Sequence, residues 1–193
     1  MLEYIEAVVN RYKNNPAIRA WQIENEPFLS FGECPTIEPE VLDKEIALVK
    51  SLDSLPAGGH GRPIIVSDSG ELSFWVKAAK RADIFGTTMY RVVWSEKIPF
   101  GGYFKYPLPP EFFWLKTNLV SYFADVKKII VVELQGEPWG PKLIYETPYE
   151  EQMKSMDFAQ FRENIAYAQK AGFEETYFFG IEWWYKMKQE GHP

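Results

Sequence analysis

The chain has 193 residues, 46% hydrophobic and 25% charged, a balance that suits a packed domain and excludes a disordered polymer. Its net charge is −6 with no run of Lys or Arg, which argues against a nucleic-acid partner. Cys34 is the single cysteine, so no intrachain disulfide forms. The two histidines, His60 and His192, stand in no metal-ligand spacing, and neither a zinc site nor a Ser-His-Asp triad is supported.

In chain order, Leu2, Ile5, Val8, Val9 and Tyr12 recur at helical spacing, and Asn14-Asn15-Pro16 ends that helix. A strand is expected over Ala20–Glu26, then a loop with Gly32, then a helix from about Pro39 to Leu52. Pro63–Ser67 reads as a second strand and Glu71–Arg81 as a short helix. Ile84–Tyr90 reads as a third strand. A long loop, Pro99–Pro110, is rich in Gly, Pro and aromatic residues, and a helix over about Pro110–Ala124 follows. Lys128–Gln135 is the fourth strand. Asp157 and Gln160 fit a capping box that opens a helix closed by Gly172. Thr176–Trp184 is the fifth strand. No stretch reaches the ~18 apolar residues of a membrane span. No leader is visible at Met1, which assigns no compartment because the chain is expected to start partway through its fold.

Val- and Ile-rich strands joined by helical crossovers predict an α/β fold with a parallel sheet and outer helices. No Gly-rich turn follows the first strand, which argues against a dinucleotide-binding sheet. Glu26, Asp68, Tyr90, Glu133 and Trp183 all fall at expected strand ends, where a (β/α)8 barrel places its chemistry. A barrel of ~250 residues allots ~31 to each βα unit, so Glu26 and Glu133 lie about three units apart. Too few residues precede the first strand for three more units. Residues 1–193 are therefore expected to be one partial TIM-barrel domain, about strands four to eight.

Two apolar runs end in carboxylates: Trp21-Gln22-Ile23-Glu24-Asn25-Glu26-Pro27 and Ile129-Ile130-Val131-Val132-Glu133-Leu134-Gln135. A buried strand carries an isolated carboxylate at a cost, so two such strands point to a shared site. Glycoside hydrolysis is the reaction that most directly needs two carboxylates, and it needs no metal or cofactor. Strand alternation would put Gln22, Glu24 and Glu26 on one face, and Ile129, Val131, Glu133 and Gln135 on the matching face. The aromatic content of 17% suits stacking on sugar rings, although core filling is expected to account for more than half of it.

The first run resembles the strand-four motif of the clan of retaining glycoside hydrolases on (β/α)8 barrels, which includes the family five cellulases and mannanases. The resemblance implies that Glu26 is the acid/base and that Asn25 binds a sugar hydroxyl. Val-Val-Glu-Leu-Gln resembles the strand-seven segment of that clan, which implies Glu133 as nucleophile. Tyr90 matches the tyrosine that steadies the nucleophile, and Trp183 or Trp184 matches the strand-eight tryptophan that floors the sugar subsite. The resemblance runs from about Ala17 to Trp184. The strand-two arginine of the clan has no counterpart, since strands one to three are absent.

Other residues keep two readings. Glu137 is a rival nucleophile, or it binds substrate or caps a loop. Glu24 reads as a paired interior carboxylate. Asp68 reaches a sugar hydroxyl, or flanks a turn in which Ser69 caps a helix and Glu71 sits in its first turn. Trp139 stacks on substrate or packs its own loop. Trp183 and Trp184, facing opposite ways in a strand, would divide between core and site. Cys34 is expected to be inert. The expected activity is retaining hydrolysis of an oligo- or polysaccharide. The alternative is an inactive fragment, or a carbohydrate-binding or assembly module that self-associates through open sheet edges at Trp21–Glu26 and Thr176–Trp184.

Overall fold

A computed structural model describes residues 1–30, 35–54, 61–98 and 100–192. Cys34, His60 and the loop glycine Gly32 lie outside the described residues. The chain divides into two compact units, Met1–Gly86 with Asn118–Ile129, and Thr87–Thr117 with Ile130–Pro193.

The first unit opens with α1, Leu2–Tyr12, and Asn15 Oδ1 stops the chain in a turn by accepting from Ala17 N–H at 2.9 Å. Strand β1 covers Trp21–Gln22 and pairs in parallel with β2, Ile64–Asp68, in the register Trp21↔Ile64. The strand expected over Ala20–Glu26 is therefore much shorter. Glu24 at φ 57° and Glu26 at φ 46° occupy the left-handed region, where extended backbone cannot continue. Alternation accordingly does not carry Gln22, Glu24 and Glu26 onto one face.

Helix α2, Pro39–Leu52, has the expected bounds, with Pro at its start and Leu42, Ile46 and Val49 buried. Only Val76–Ala79, α3, is helical within the expected Glu71–Arg81. Ser69 Oγ accepts from Leu72 N–H at 3.4 Å, which closes a turn and caps no helix. Trp75 then takes φ 69° while its indole donates to Ser69 O at 2.8 Å, which breaks the run. Its ring packs on Phe85 at 5.2 Å, in a core that holds Val9, Leu42, Ile64 and Val66.

Strand β3, Ile84–Met89, is buried along its whole length. After it the second unit departs from expectation. The expected loop contains half of an antiparallel hairpin, β4 (Val92–Ser95) with β5 (Gly102–Lys105). Helix α4, Pro110–Ala124, has the expected bounds and buries Phe113 against Tyr167 and Phe173. Strand β6 is Ile129–Gln135. After the short α5, Tyr149–Gln152, helix α6 runs Phe158–Ala171. Asp157 accepts from Gln160 N–H at 2.7 Å at its start, and Gly172 at φ 80° closes it.

Strand β7 covers only Thr176–Phe179 and pairs in parallel with β6. Gly180, at φ 124°, turns the chain into helix α7, Ile181–Gln189. The strand expected to reach Trp184 thus ends five residues earlier, and Trp183 and Trp184 sit on a helix. The main sheet is parallel, in the order β1-β2-β3-β6-β7. Each of its strands lies beside its predecessor in the chain, so the order never reverses as a doubly wound sheet does. Among the described residues no helix is long and apolar enough to cross a membrane.

Candidate active site

The C-terminal end of β6 carries Glu133, a half-buried carboxyl. Tyr90, the residue after β3, donates its phenol to Glu133 Oε2 at 3.0 Å. The Trp139 ring meets Tyr90 edge-on, 5.3 Å between centroids, so an aromatic wall borders that carboxyl. Burial pushes the Glu133 carboxyl above its ordinary value, and the Tyr90 hydrogen bond pulls it back in part.

The backbone around Tyr90 is fixed by Gln135, which is fully buried. Its Oε1 accepts from Arg91 N–H at 2.8 Å and Val92 N–H at 3.0 Å, while its Nε2 donates to Val92 O at 2.7 Å. Asn164 of α6 in turn donates to Gln135 O at 2.9 Å. Strand end, tyrosine loop and helix are thereby locked by two side-chain amides, those of Gln135 and Asn164. Sequence reasoning placed Gln135 on the face of Glu133 and gave it no role. A buried polar residue in an apolar strand was the signal.

Glu137 lies just past β6. Its carboxyl is pushed up to about 7, first by burial, then by the charge of Glu182 and then by that of Glu133. Glu182, in the first turn of α7, is a further carboxylate that sequence reasoning missed, because it was expected in a strand. A carboxyl that keeps its proton near neutrality is a poor nucleophile and a suitable proton donor. Trp184 donates to Gly136 O at 2.6 Å and packs against Phe161 and Phe178. Trp183 donates to Gln152 Oε1 at 2.6 Å. Both indoles hold structure around β6 and α5. The division of the pair into core and site by opposite strand faces does not hold, since neighbours on a helix turn by ~100°.

In the first unit Ser67, at the end of β2, is the hub. Its Oγ donates to Asn25 Oδ1 at 3.1 Å and accepts from Glu26 N–H at 3.1 Å. Gln22 Nε2 approaches the same oxygen at 3.4 Å. Ser67 was not singled out in the sequence, because a serine inside a Val-Ser-Asp strand end carries no distinctive signal. Asp68 beside it is buried, and its Oδ1 accepts from Ser69 N–H at 2.9 Å. The left-handed Glu26 is an observed strained residue, the kind that clusters at functional sites.

No family model matches the chain. Over 51 residues it is 45% identical to an Aspergillus terreus protein named Probable mannan endo-1,4-beta-mannosidase A-1. Over 54 residues it is 44% identical to the Mannan endo-1,4-beta-mannosidase A of Emericella nidulans. Each match takes in 26% of this chain and 13% of the relative.

The chain is related to glycoside hydrolases.

The fold of this glycoside-hydrolase relative is similar to that of a GH2 beta-galacturonidase from Eisenbergiella tayi, with TM-score 0.54 and 15% identity. That likeness covers 92% of this chain and 28% of the other. It is also similar to the Faecalibacterium prausnitzii beta-glucuronidase, with TM-score 0.53 and 14% identity, over 92% and 27% of the two chains. The chain thus spans about a quarter of the length of those solved proteins.

Proposed function

We propose that residues 1–193 belong to the catalytic domain of a retaining glycoside hydrolase built on a (β/α)8 barrel of the family-five-like clan. The observation that carries this reading is the strand-end carboxyl of Glu133 held by the Tyr90 phenol at 3.0 Å. The sequential strand order supports the barrel. The Asn25-Glu26-Pro27 motif supports Glu26 as the partner carboxyl.

In the proposed reaction a Glu133 oxygen attacks the anomeric carbon while the Glu26 carboxyl gives its proton to the leaving oxygen. A glycosyl ester on Glu133 forms and the aglycone leaves. Glu26, now ionised, takes a proton from water, which displaces Glu133 and restores both groups. Asn25 and Asp68 would bind sugar hydroxyls, and Tyr90, Trp139, Trp183 and Trp184 would line or brace the subsite. The chemistry calls for no cofactor. The substrate is an oligo- or polysaccharide, and β-mannan leads the panel because both curated relatives are named as mannanases.

The test is labelling of the whole protein with a panel of activated 2-fluoro glycosides, followed by peptide mapping. The label is expected on Glu133. A label on Glu137, or on no carboxyl across the panel, overturns the assignment. Glu26→Gln is expected to lower kcat/KM by roughly 10²–10⁴-fold on substrates with poor leaving groups. Sugar binding with no turnover in the unmodified protein would favour the carbohydrate-binding alternative.

A further inference from the structure

Arg91, the residue between Tyr90 and β4, is 5% exposed. Its Nη2 donates to Tyr106 O at 2.7 Å and to Leu108 O at 3.1 Å, and its guanidinium carbon lies 3.9 Å from the centre of the Tyr167 ring. The Tyr167 phenol donates to the same Leu108 O at 2.8 Å. The backbone of residue 91 is held as well: its N–H donates to Gln135 Oε1, and its carbonyl accepts from Tyr106 N–H at 2.9 Å. Arg91 therefore closes the base of the β4–β5 hairpin onto the segment that leaves β5. Nη1 has no acceptor among the described residues, and the groups that the guanidinium does meet are neutral. A buried cation with no carboxylate and an unpaired donor costs stability. An apolar side chain of similar length would fill the space without that cost, so stability does not account for an arginine here.

The location gives the clamp a consequence. Tyr90 precedes Arg91, and its phenol donates to Glu133 Oε2 at 3.0 Å. On the other side the hairpin reaches Trp139: Trp94 N–H donates to Trp139 O at 3.0 Å, and Trp139 N–H donates to Ser155 Oγ at 3.0 Å. The Trp139 ring in turn meets Tyr90. Both aromatic residues of the wall beside Glu133 are thus attached to the backbone of residues 90–94, which Arg91 ties to Tyr106 and Leu108. A planar fork suits this task. One of its nitrogens bridges two carbonyls while its face lies on an aromatic ring, which an ammonium does not reproduce.

We propose that Arg91 is a positioning residue of this site: its buried guanidinium fixes the backbone from which the Tyr90 phenol reaches Glu133 and the Trp94 amide holds Trp139. The consequence for catalysis rests on the role proposed for Glu133 above; the clamp itself does not. Removing the fork frees the 106–108 segment and lets residue 90 shift. A hydrogen bond weakens steeply with misalignment, so the Tyr90 phenol then loses its hold on Glu133. The sign follows. That bond draws the Glu133 carboxyl down against burial, and its loss lets the carboxyl rise. Tyr90 and Glu137 are the titratable groups that interact with this carboxyl, and Glu182 acts on Glu137. A substitution at Arg91 removes none of them.

The test is a double-mutant cycle on the whole protein with carbon-13-labelled glutamate, and it needs no substrate. The side-chain resonance lost in Glu133→Gln reports the carboxyl. Its titration midpoint is expected to rise in Arg91→Met, in the direction of Tyr90→Phe, and to rise no further in the double variant than in Tyr90→Phe alone. Arg91→Lys, which keeps the charge and loses the fork, takes the place of Arg91→Met in the same cycle if the latter does not fold. An unmoved midpoint in the Arg91 variant overturns the positioning role, because a merely structural arginine changes the denaturation midpoint and leaves the carboxyl as it was. A further rise in the double variant also overturns it, because Arg91 would then act on Glu133 by a route other than Tyr90. In turnover, Arg91→Met is expected to lower kcat roughly 10-fold or more and to move the acidic limb of kcat/KM to higher pH. An acidic limb that stays in place overturns the catalytic consequence. If no glycoside is turned over at all, the functional reading fails while the resonance cycle still decides the clamp.

Discussion

Tyr90 shows how one hydrogen bond tunes one carboxyl. Its phenol donates to Glu133 and favours the ionised form, against the burial that favours the neutral one. Tyr90→Phe removes the downward influence and leaves the upward one. The Glu133 carboxyl then rises further, and in the role proposed for it Glu133 must be ionised to attack. The acidic limb of the kcat/KM profile is expected to move to higher pH in Tyr90→Phe, with the alkaline limb unmoved. An unshifted acidic limb would separate Tyr90 from the ionisation of Glu133. The resemblance pointed to this pair before the structure, because a tyrosine and a glutamate at two strand ends match the clan's motif. Ser67 and Gln135 were not foreseen, since their roles depend on which backbone groups lie across from them.

At the scale of elements, the helices were the most legible part. Helices α1, α2 and α4 keep the expected bounds because periodicity, prolines and turn residues agree locally. Helix α6 illustrates the local physics. Asp157 satisfies the orphan N–H of Gln160, and Gly172 takes a φ of 80° that a side chain would strain. The Gln160 side-chain amide in turn donates to Asn164 Oδ1 at 2.7 Å. Asp157→Ala is expected to cost about 1 kcal/mol, read as a lower urea midpoint with an unchanged slope. Strand ends were the least legible. Residues 23–26 and 180–184 have strand-like composition, and in both places a positive φ ends the strand. At Gly180 the reason is close approach: a side chain there would put its Cβ 2.7 Å from Glu137 Cβ. Strand β5 was hidden in a Gly- and Pro-rich stretch, and cross-strand pairing with β4 made it regular.

Two properties belong to the whole molecule. Stability depends on pH through Glu137, whose carboxyl is raised to about 7 in the fold from an ordinary value of 4.5. The folded chain binds the extra proton between those values, so stability is full below the lower one and falls as pH rises through the higher one. Glu137→Gln is expected to flatten that decline in denaturation curves measured from acid to neutral pH. A decline of unchanged steepness would place its source elsewhere. Strand β7 ends the sheet order, and Tyr177, Phe178 and Phe179 are each more than 40% exposed. An apolar edge of this kind favours pairing with another chain. Phe179→Lys is expected to reduce self-association in sedimentation experiments, and an unaltered distribution of species would count against the β7 edge. By itself the sequence determined the α/β class, the order of five parallel strands, the long helices and the candidate carboxyls. Those features follow from periodicity, caps and residue type, which act over a few neighbours. Only the tertiary structure decided that Glu24 and Glu26 leave the strand, and that Trp183 and Trp184 ride on a helix. Those outcomes depend on groups far apart in the chain. A backbone held by Ser67 has no signature in the order of residues.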